Sequence, residues 1–327
     1  MDTLIALADG RVTRASRDGD EWKVERPKIG SRVTCLSSGA TGKGCAFVGT
    51  ETGSILVSAD KGATWREAGS VGKEIRSVAV APSKPSVLYA GTKPSHVFAS
   101  EDSGRSWVEL VQFRKIPWRW LWLSPAELPF TAYVQALAVS PADPEVILAG
   151  IEYGAVVRSA DGGLTWEGHR RGAVRDCHSM IFHPREAARA YEAGGSGAAF
   201  SKDTGMTWTQ PRAGLDRRYC WAVAADPAEA GIWYVSASPG AFKAHGRGNA
   251  QAFIFRMGAD GKWERLGGGL PQPLDNMPYA LLTSPEEPRH IYAGMSSGEV
   301  WQSVDRGDAW ERLETNLGSI ERTLIVV

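Results

Sequence analysis

An eight-residue pattern, Ser-x-Asp-x-Gly-x-Thr-Trp, recurs along the chain, and a repeat of this kind means that one structural unit is built several times over. It stands as Ser58, Asp60, Gly62, Thr64, Trp65, and again as Ser159, Asp161, Gly163, Thr165, Trp166 and Ser201, Asp203, Gly205, Thr207, Trp208. Ser100, Asp102, Gly104, Ser106, Trp107 carries Ser for Thr, and Ser303, Asp305, Gly307, Ala309, Trp310 carries Ala. Two shortened copies keep Asp18, Gly19, Trp22 and Asp260, Gly261, Trp263. The seven Trp are spaced by 43, 42, 59, 42, 55 and 47 residues, and they use up just over half of the 13 Trp in the sequence.

The chemistry of the pattern is local. Asp accepts hydrogen bonds from amides ahead of it, Gly supplies a positive φ, Ser or Thr ties a further group, and Trp buries a large ring. That describes the tip of a β-hairpin. A calcium loop needs more oxygen ligands at close spacing, so these Asp residues read as structural. Around each tip lie short apolar runs. Tyr133–Pro141, Val146–Gly150 and Ala155–Ser159 read as three strands and Trp166 opens a fourth, and the unit recurs with Ile75–Gly91, Cys177–Gly194, Cys220–Ser236 and Pro278–Gly294. Four short strands per repeat make a propeller blade. The chain ends on Arg322–Val327, which matches a first strand, and begins with Leu4–Leu7, which matches a second. The expectation is therefore an all-β, seven-bladed propeller of four-stranded blades over residues 1–327, closed by the C-terminal strand completing the N-terminal blade.

The boxes resemble the Asp-box (BNR) repeat of sialidases, sortilin-type receptors, xyloglucanases and photosystem II assembly factors, close to the single-domain seven-bladed members. The resemblance implies a propeller and leaves function open, since enzymes and pure binding proteins share it. A sialidase would need a Phe-Arg-Ile-Pro signature and six blades, and this chain departs from both. The assembly factors match better in blade count and size.

Two long spacings mark insertions, at 111–131 between blades and at 238–251 between second and third strands, and both fall on the face opposite the boxes. Longer loops point to a working face. Six positions before Pro82, Pro141, Pro184, Pro227 and Pro285, which end most innermost strands, stand Arg76, Gln135, His178, Trp221 and Tyr279, and pattern adds Thr34 and Arg322. An otherwise apolar register thus carries polar and aromatic side chains at the channel mouth, the types a polar small-molecule site uses. Glu74, Asp176, Arg218 and Glu321 are neighbours, and the loops add Lys93, His96, Glu152, Tyr153, Lys243 and His245. His178 is the general acid/base candidate, with Tyr279, Glu152 and Asp176 assisting. Arg76, Arg218 and Arg322, with Gln135, Trp221, Thr34, Tyr153, Lys243, His245 and Trp120, are the binding candidates. Trp118, Trp120 and Trp122, read as a strand, would share one face, free to roof the site, stack on a sugar or form a dimer contact. The second insertion, with Lys243, His245 and Arg247, reads as a mobile basic lid.

The expected function is a hydrolase or lyase acting on a polar or anionic small molecule or glycan, and the alternative is a non-catalytic protein- or glycan-binding scaffold. Lys and Arg total 37 against 37 Asp and Glu, so no basic field attracts nucleic acid or a membrane. No apolar run approaches a membrane span, and Met1–Gly10 lacks a basic region and a long apolar stretch, which reads as a chain without a leader, in the cytoplasm. Cys35, Cys45, Cys177 and Cys220 show no zinc spacing, and His178 and His183 point to opposite faces of one strand. No metal or cofactor is expected.

Overall fold

The computed structural model describes residues 3–19, 21–39, 44–126 and 128–327; Met1 and Asp2 of the chain's start and Glu127 of the first insertion lie outside them. Seven antiparallel sheets stand around a channel, six of them with their strands in chain order from the axis outward. Neighbouring innermost strands touch in a closed cycle, Val33–Ser38, Glu74–Val80, Val134–Val139, Cys177–Phe182, Tyr219–Ala225, Pro278–Ser284 and Ile320–Val326. The last of these pairs with Thr3–Ala8, Leu4 opposite Val326 and Ile5 opposite Ile325, so the C-terminal strand supplies the inner strand of the first blade. Five sheets have four strands. In the fourth and fifth blades the outer strand shrinks to single bridges, Arg158 with Glu167 and Phe200 with Thr209. Gly168 follows the one, and Pro211, which has no amide to donate, closely follows the other. Apolar side chains between adjacent blades form the core, with Tyr191, Trp233 and Phe255 wholly buried.

The hairpin tips are built as their residue types require. Asp60 Oδ1 accepts from the Thr64 amide at 2.9 Å, Oδ2 from the Thr64 hydroxyl at 2.5 Å, Ser58 Oγ accepts from the Gly62 amide at 2.9 Å, and Trp65 Nε1 donates to the Gly62 carbonyl at 3.0 Å. The Thr64 hydroxyl and amide hold the Asp60 carboxyl down to about 2. The same carboxylate network recurs at Asp102, Asp161 and Asp203, and at Asp305 without the hydroxyl. Asp161→Ala removes the acceptor of Thr165's amide and hydroxyl and of Ser159's hydroxyl. Bonds of this kind are worth about 0.5–1.5 kcal/mol each, so the variant is expected to lose about 1.5–4.5 kcal/mol of stability and melt at a lower temperature, with ligand affinity unchanged. A loss of affinity at constant stability contradicts the structural role.

One distortion repeats in every blade. Register slips in each inner strand at the position aligned on proline: at Thr34, Arg76, Gln135, His178, Trp221–Ala222, Tyr279 and across Glu321–Thr323. A β-bulge adds an unpaired residue and re-aims its side chain. Opposite the bulge the second strand often carries Gly. A Cβ on Gly91 would lie 2.5 Å from Ser77 Oγ and from Val134, and one on Gly49 would lie 2.8 Å from Cys35 Sγ. No helix among the described residues is long and apolar enough to cross a membrane.

Candidate functional site

The bulged residues converge on the channel. Arg76, Gln135, His178, Trp221, Tyr279 and Arg322 line a cavity of about 270 Å³ together with the residues that follow the bulge on all seven inner strands. Thr34 turns its hydroxyl to the carbonyls of Ile75 and Gly49. Bulging also leaves carbonyls unpaired, and Arg322 gathers them. Its Nη1 donates to the Arg76 carbonyl at 3.1 Å and the Thr34 carbonyl at 3.5 Å, and its Nη2 to the Gln135 carbonyl at 2.7 Å. Arg322 thus ties the last strand to three blades. Arg76 pairs with Glu74 at 2.7 Å and lies over the Tyr133 ring at 4.1 Å.

His178 is set the same way. Its Nδ1 lies 2.7 Å from the Cys220 carbonyl, which can only accept, so Nδ1 donates, and in the neutral ring Nε2 carries the lone pair. The ring is held between Trp221 and Tyr219, with centroids 4.5 and 4.9 Å away. Nε2 faces Asp176 Oδ2 at 3.5 Å without a hydrogen bond. Glu152 completes a trio: one ligating atom from each of Glu152, Asp176 and His178 lies within 4.8 Å of the others. Three loops enforce this meeting. The Glu152 amide donates to the Tyr133 carbonyl, Tyr153 adopts φ 49° and gives its amide to Asp176 Oδ1 at 3.1 Å, and Gly154 bonds the Arg175 carbonyl at 2.9 Å. Burial pushes the Glu152 carboxyl up to about 7, against the pull of His178 and with the push of Asp176. Burial opposes protonation of His178, but Asp176 and Glu152 together lift it above the ordinary imidazole value.

A second, larger space adjoins the trio. A cleft of about 800 Å³ is lined by Trp118, Leu121, Trp122, Tyr153, Arg175 and Asp176, among others. Of the places the sequence left open for the tryptophan segment, one was a roof over a pocket walled by Trp221, Tyr279 and His178. The structure has two spaces that meet where Asp176, on the cleft, faces His178, on the channel. It also corrects the strand expected there. Residues Val111–Lys115 and Arg119–Leu121 form 3₁₀ turns, so the three rings do not share a face. Trp122 packs on Phe113 at 6.1 Å, whereas Trp118 and Trp120 are 68% and 76% exposed, and Trp120 is not in the cleft wall. Arg119 anchors the segment to the Ser95 carbonyl, and its cation lies over Phe113 and Trp122.

The second insertion is tied down, in contrast to the free basic lid expected. Ala241–Ala244 make one helical turn, and His245 sits between two phenols, with Nε2 2.7 Å from Tyr219 OH and Nδ1 2.6 Å from Tyr279 OH. Tyr279 spends its own proton on the Ala244 carbonyl, so Nδ1 donates and Nε2 accepts, and burial and the nearby His178 lower the His245 pKa. Lys243 is half-buried on that turn. Arg218 lines neither space but a small cavity with Gln210 and with Ser196, which also lines the cleft, and His96 pairs with Glu109 at 2.6 Å. Sequence reasoning missed Tyr219, which clamps His245, and Tyr133, which floors Arg76. Each lies within two residues of a position it did single out.

Fold and site together define a seven-bladed β-propeller with a carboxylate–imidazole cluster at one mouth of its channel. No family model matches the chain, and no curated protein sequence is similar to it. Solved structures are similar in fold. An ancestral GH74 enzyme superposes with a TM-score of 0.66 at 16% identity over 87% of this chain and 39% of its own, and the GH74 xyloglucanase from Xanthomonas campestris with 0.62 at 19% identity over 86% and 45%. YCF48 bound to D1 peptide superposes with 0.60 at 14% identity over 90% of this chain and 86% of its own. The chain therefore spans less than half the length of these GH74 enzymes and most of the length of YCF48. At such identities the likeness is one of fold.

Proposed function

We propose that the chain is a hydrolase for a polar, glycan-like ligand, with the cluster of Glu152, Asp176 and His178 as its water-activating centre. The observation that carries this is the meeting of three titratable side chains from separate segments at the junction of a narrow channel and a roomy cleft. Hydrolysis needs a group that takes a proton from water as its oxygen adds to the scissile centre, and a group that returns one to the leaving atom. His178 with two flanking carboxylates can do both. Trp118 and Tyr153, on the cleft wall and 68% and 57% exposed, offer rings on which a sugar can stack. The fold likeness to GH74 enzymes, one of them a xyloglucanase, favours a glycan. The hairpins are read as Asp-box repeats.

Release of reducing ends from xyloglucan and other β-glucans tests the reading. Wild type is expected to turn over, and His178→Ala and Asp176→Asn to lose about 100-fold or more, the usual worth of a positioned acid–base group, with melting preserved in Asp176→Asn. Unchanged turnover in both variants removes the cluster from the chemistry, and no turnover by wild type removes the glycan. A scaffold reading has its own support: Trp118, Trp120, Leu128 and Phe130 are exposed on one insertion, an apolar rim of the kind that binds protein, and YCF48, similar over most of its length, is known bound to a peptide. Wild type that hydrolyses nothing but retains peptides through this rim decides for the scaffold.

A further inference from the structure

We propose that Glu152, Asp176 and His178 form the binding site of one divalent transition-metal ion, zinc in the first instance. The inference deepens the proposed function and rests on it only for the role of the ion; the site itself stands on geometry. Glu152 and His178 are 8% and 4% exposed, and Glu152 Oε2 and His178 Nε2 have no hydrogen-bond partner. A buried polar atom left unpaired costs about 1–3 kcal/mol, and here two such atoms open onto one space, with Asp176 Oδ2 completing the set. A cation satisfies all three at once.

The second contacts are those of a metal site. Ligating imidazoles donate their other N–H to a carbonyl or carboxylate, which fixes ring and tautomer; His178 Nδ1 does so to the Cys220 carbonyl. The Tyr153 amide holds Asp176 Oδ1 and leaves Oδ2 facing inward. One nitrogen and two carboxylates suit zinc and its neighbours better than calcium or magnesium, which prefer all-oxygen shells. Two carboxylates and a neutral imidazole also balance a charge of +2. Metal–ligand bonds of about 2.1 Å put tetrahedral ligand atoms about 3.4 Å apart, so the trio needs only a small turn of side chains to close from its 4.8 Å limit. Three protein ligands leave a position open towards the cleft that Asp176 lines. A water bound there would have its proton loosened by the ion; in that form of the centre the three side chains would serve as ligands, and the ion, in place of His178, would activate the water of the hydrolysis proposed above. The ligands come from the turn after a second strand, the loop before the next blade and that blade's inner bulge, which is why no spacing motif marks them.

The full chain, stripped with a chelator, is titrated with Zn²⁺ against a chromophoric competitor, and with Co²⁺ while visible absorption is followed. One equivalent is expected to bind, with cobalt giving the d–d bands of a low-coordinate site, and zinc is expected to raise the melting temperature. The isosteric variants Glu152→Gln and Asp176→Asn should each weaken zinc about 100-fold or more, beyond the effect of losing an outer-shell partner, and lose the thermal shift. Glu109→Gln, at the separate His96 pair, should bind as wild type does. Absence of a saturable equivalent, or wild-type affinity in Glu152→Gln and Asp176→Asn, overturns the site. The two readings separate cleanly. Zinc binding without hydrolysis keeps the site and removes the hydrolase; hydrolysis by stripped protein that binds no zinc does the reverse.

Discussion

A chain ending at Ser319 is expected to show no cooperative thermal transition. The strand it lacks, Ile320–Val326, is the innermost strand of the first blade and the closure of the ring. Ile320, Leu324 and Ile325 are all but inaccessible there, and burying three such side chains contributes about 5–9 kcal/mol. Arg322 adds its grip on the carbonyls of Thr34, Arg76 and Gln135. Loss of the strand also bares the inner edge of Thr3–Ala8, an unpaired apolar edge that invites association. Domains of this kind are stable by about 5–15 kcal/mol in all, so the deletion removes most of that margin. Differential scanning calorimetry is the check, and a cooperative transition within a few degrees of the full chain would falsify closure by this strand. Adding a peptide of residues 320–327 to the shortened chain should restore the transition in part.

The second large effect is a pH-dependent gain in stability from Glu192→Gln. Glu192 faces Met180 in the register that other blades give to Val48, Ala90, Ala149, Val235 and Ala293, each opposite the apolar residue two places after the start of the inner bulge. It is wholly buried. One oxygen accepts from the Val174 amide and Oε2 has no partner. Burial drives its pKa well above the ordinary 4.5, with the Val174 amide pulling the other way. The unfolded chain releases this proton near pH 4.5 while the folded chain keeps it, so the folded state binds more protons and stability falls as pH rises through neutrality, by about 1.4 kcal/mol per pH unit. Gln is neutral throughout and lacks that slope. Denaturant unfolding at pH 5, 6.5 and 8 should show the variant gaining on wild type at each step. Any slope from Glu152 is common to both proteins and drops out of the difference. Cys177, which packs near Glu192, is pushed up by its own burial first and by Glu192 next, and stays a thiol over this range. Parallel curves for the two proteins would show that Glu192 is ionised in the fold and paired in some other way.

Glu192 also shows what a repeat can reveal. Alanine or valine in five blades and one glutamate share that register, which marks the blade as exceptional once the strands are paired. The polar ring of Arg76, Gln135, His178, Trp221, Tyr279 and Arg322 was legible in the sequence, because proline ends most inner strands at a constant distance. What spacing did not contain was the bulge at each of these positions, whose extra residue leaves backbone carbonyls for Arg322 and His178 to bind. Nor did it contain the 3₁₀ turns of the tryptophan segment. Period two is only one way to arrange Trp118, Trp120 and Trp122, and packing of Trp122 on Phe113 together with Arg119 on Ser95 selects another.

Hairpin tips, blade number and ring closure were settled by the sequence alone. Their causes are local: an Asp that bonds amides four residues on, a Gly with φ of 77° in the first full box, and strands paired with their neighbours in the chain. The cluster proposed as the working centre was decided by tertiary structure. Glu152, Asp176 and His178 meet because two loops and a bulge from adjacent blades share backbone hydrogen bonds, and because His178 finds its partner in a carbonyl 42 residues away. Distances of that kind depend on how blades pack side by side, a property of the closed ring that no segment carries by itself.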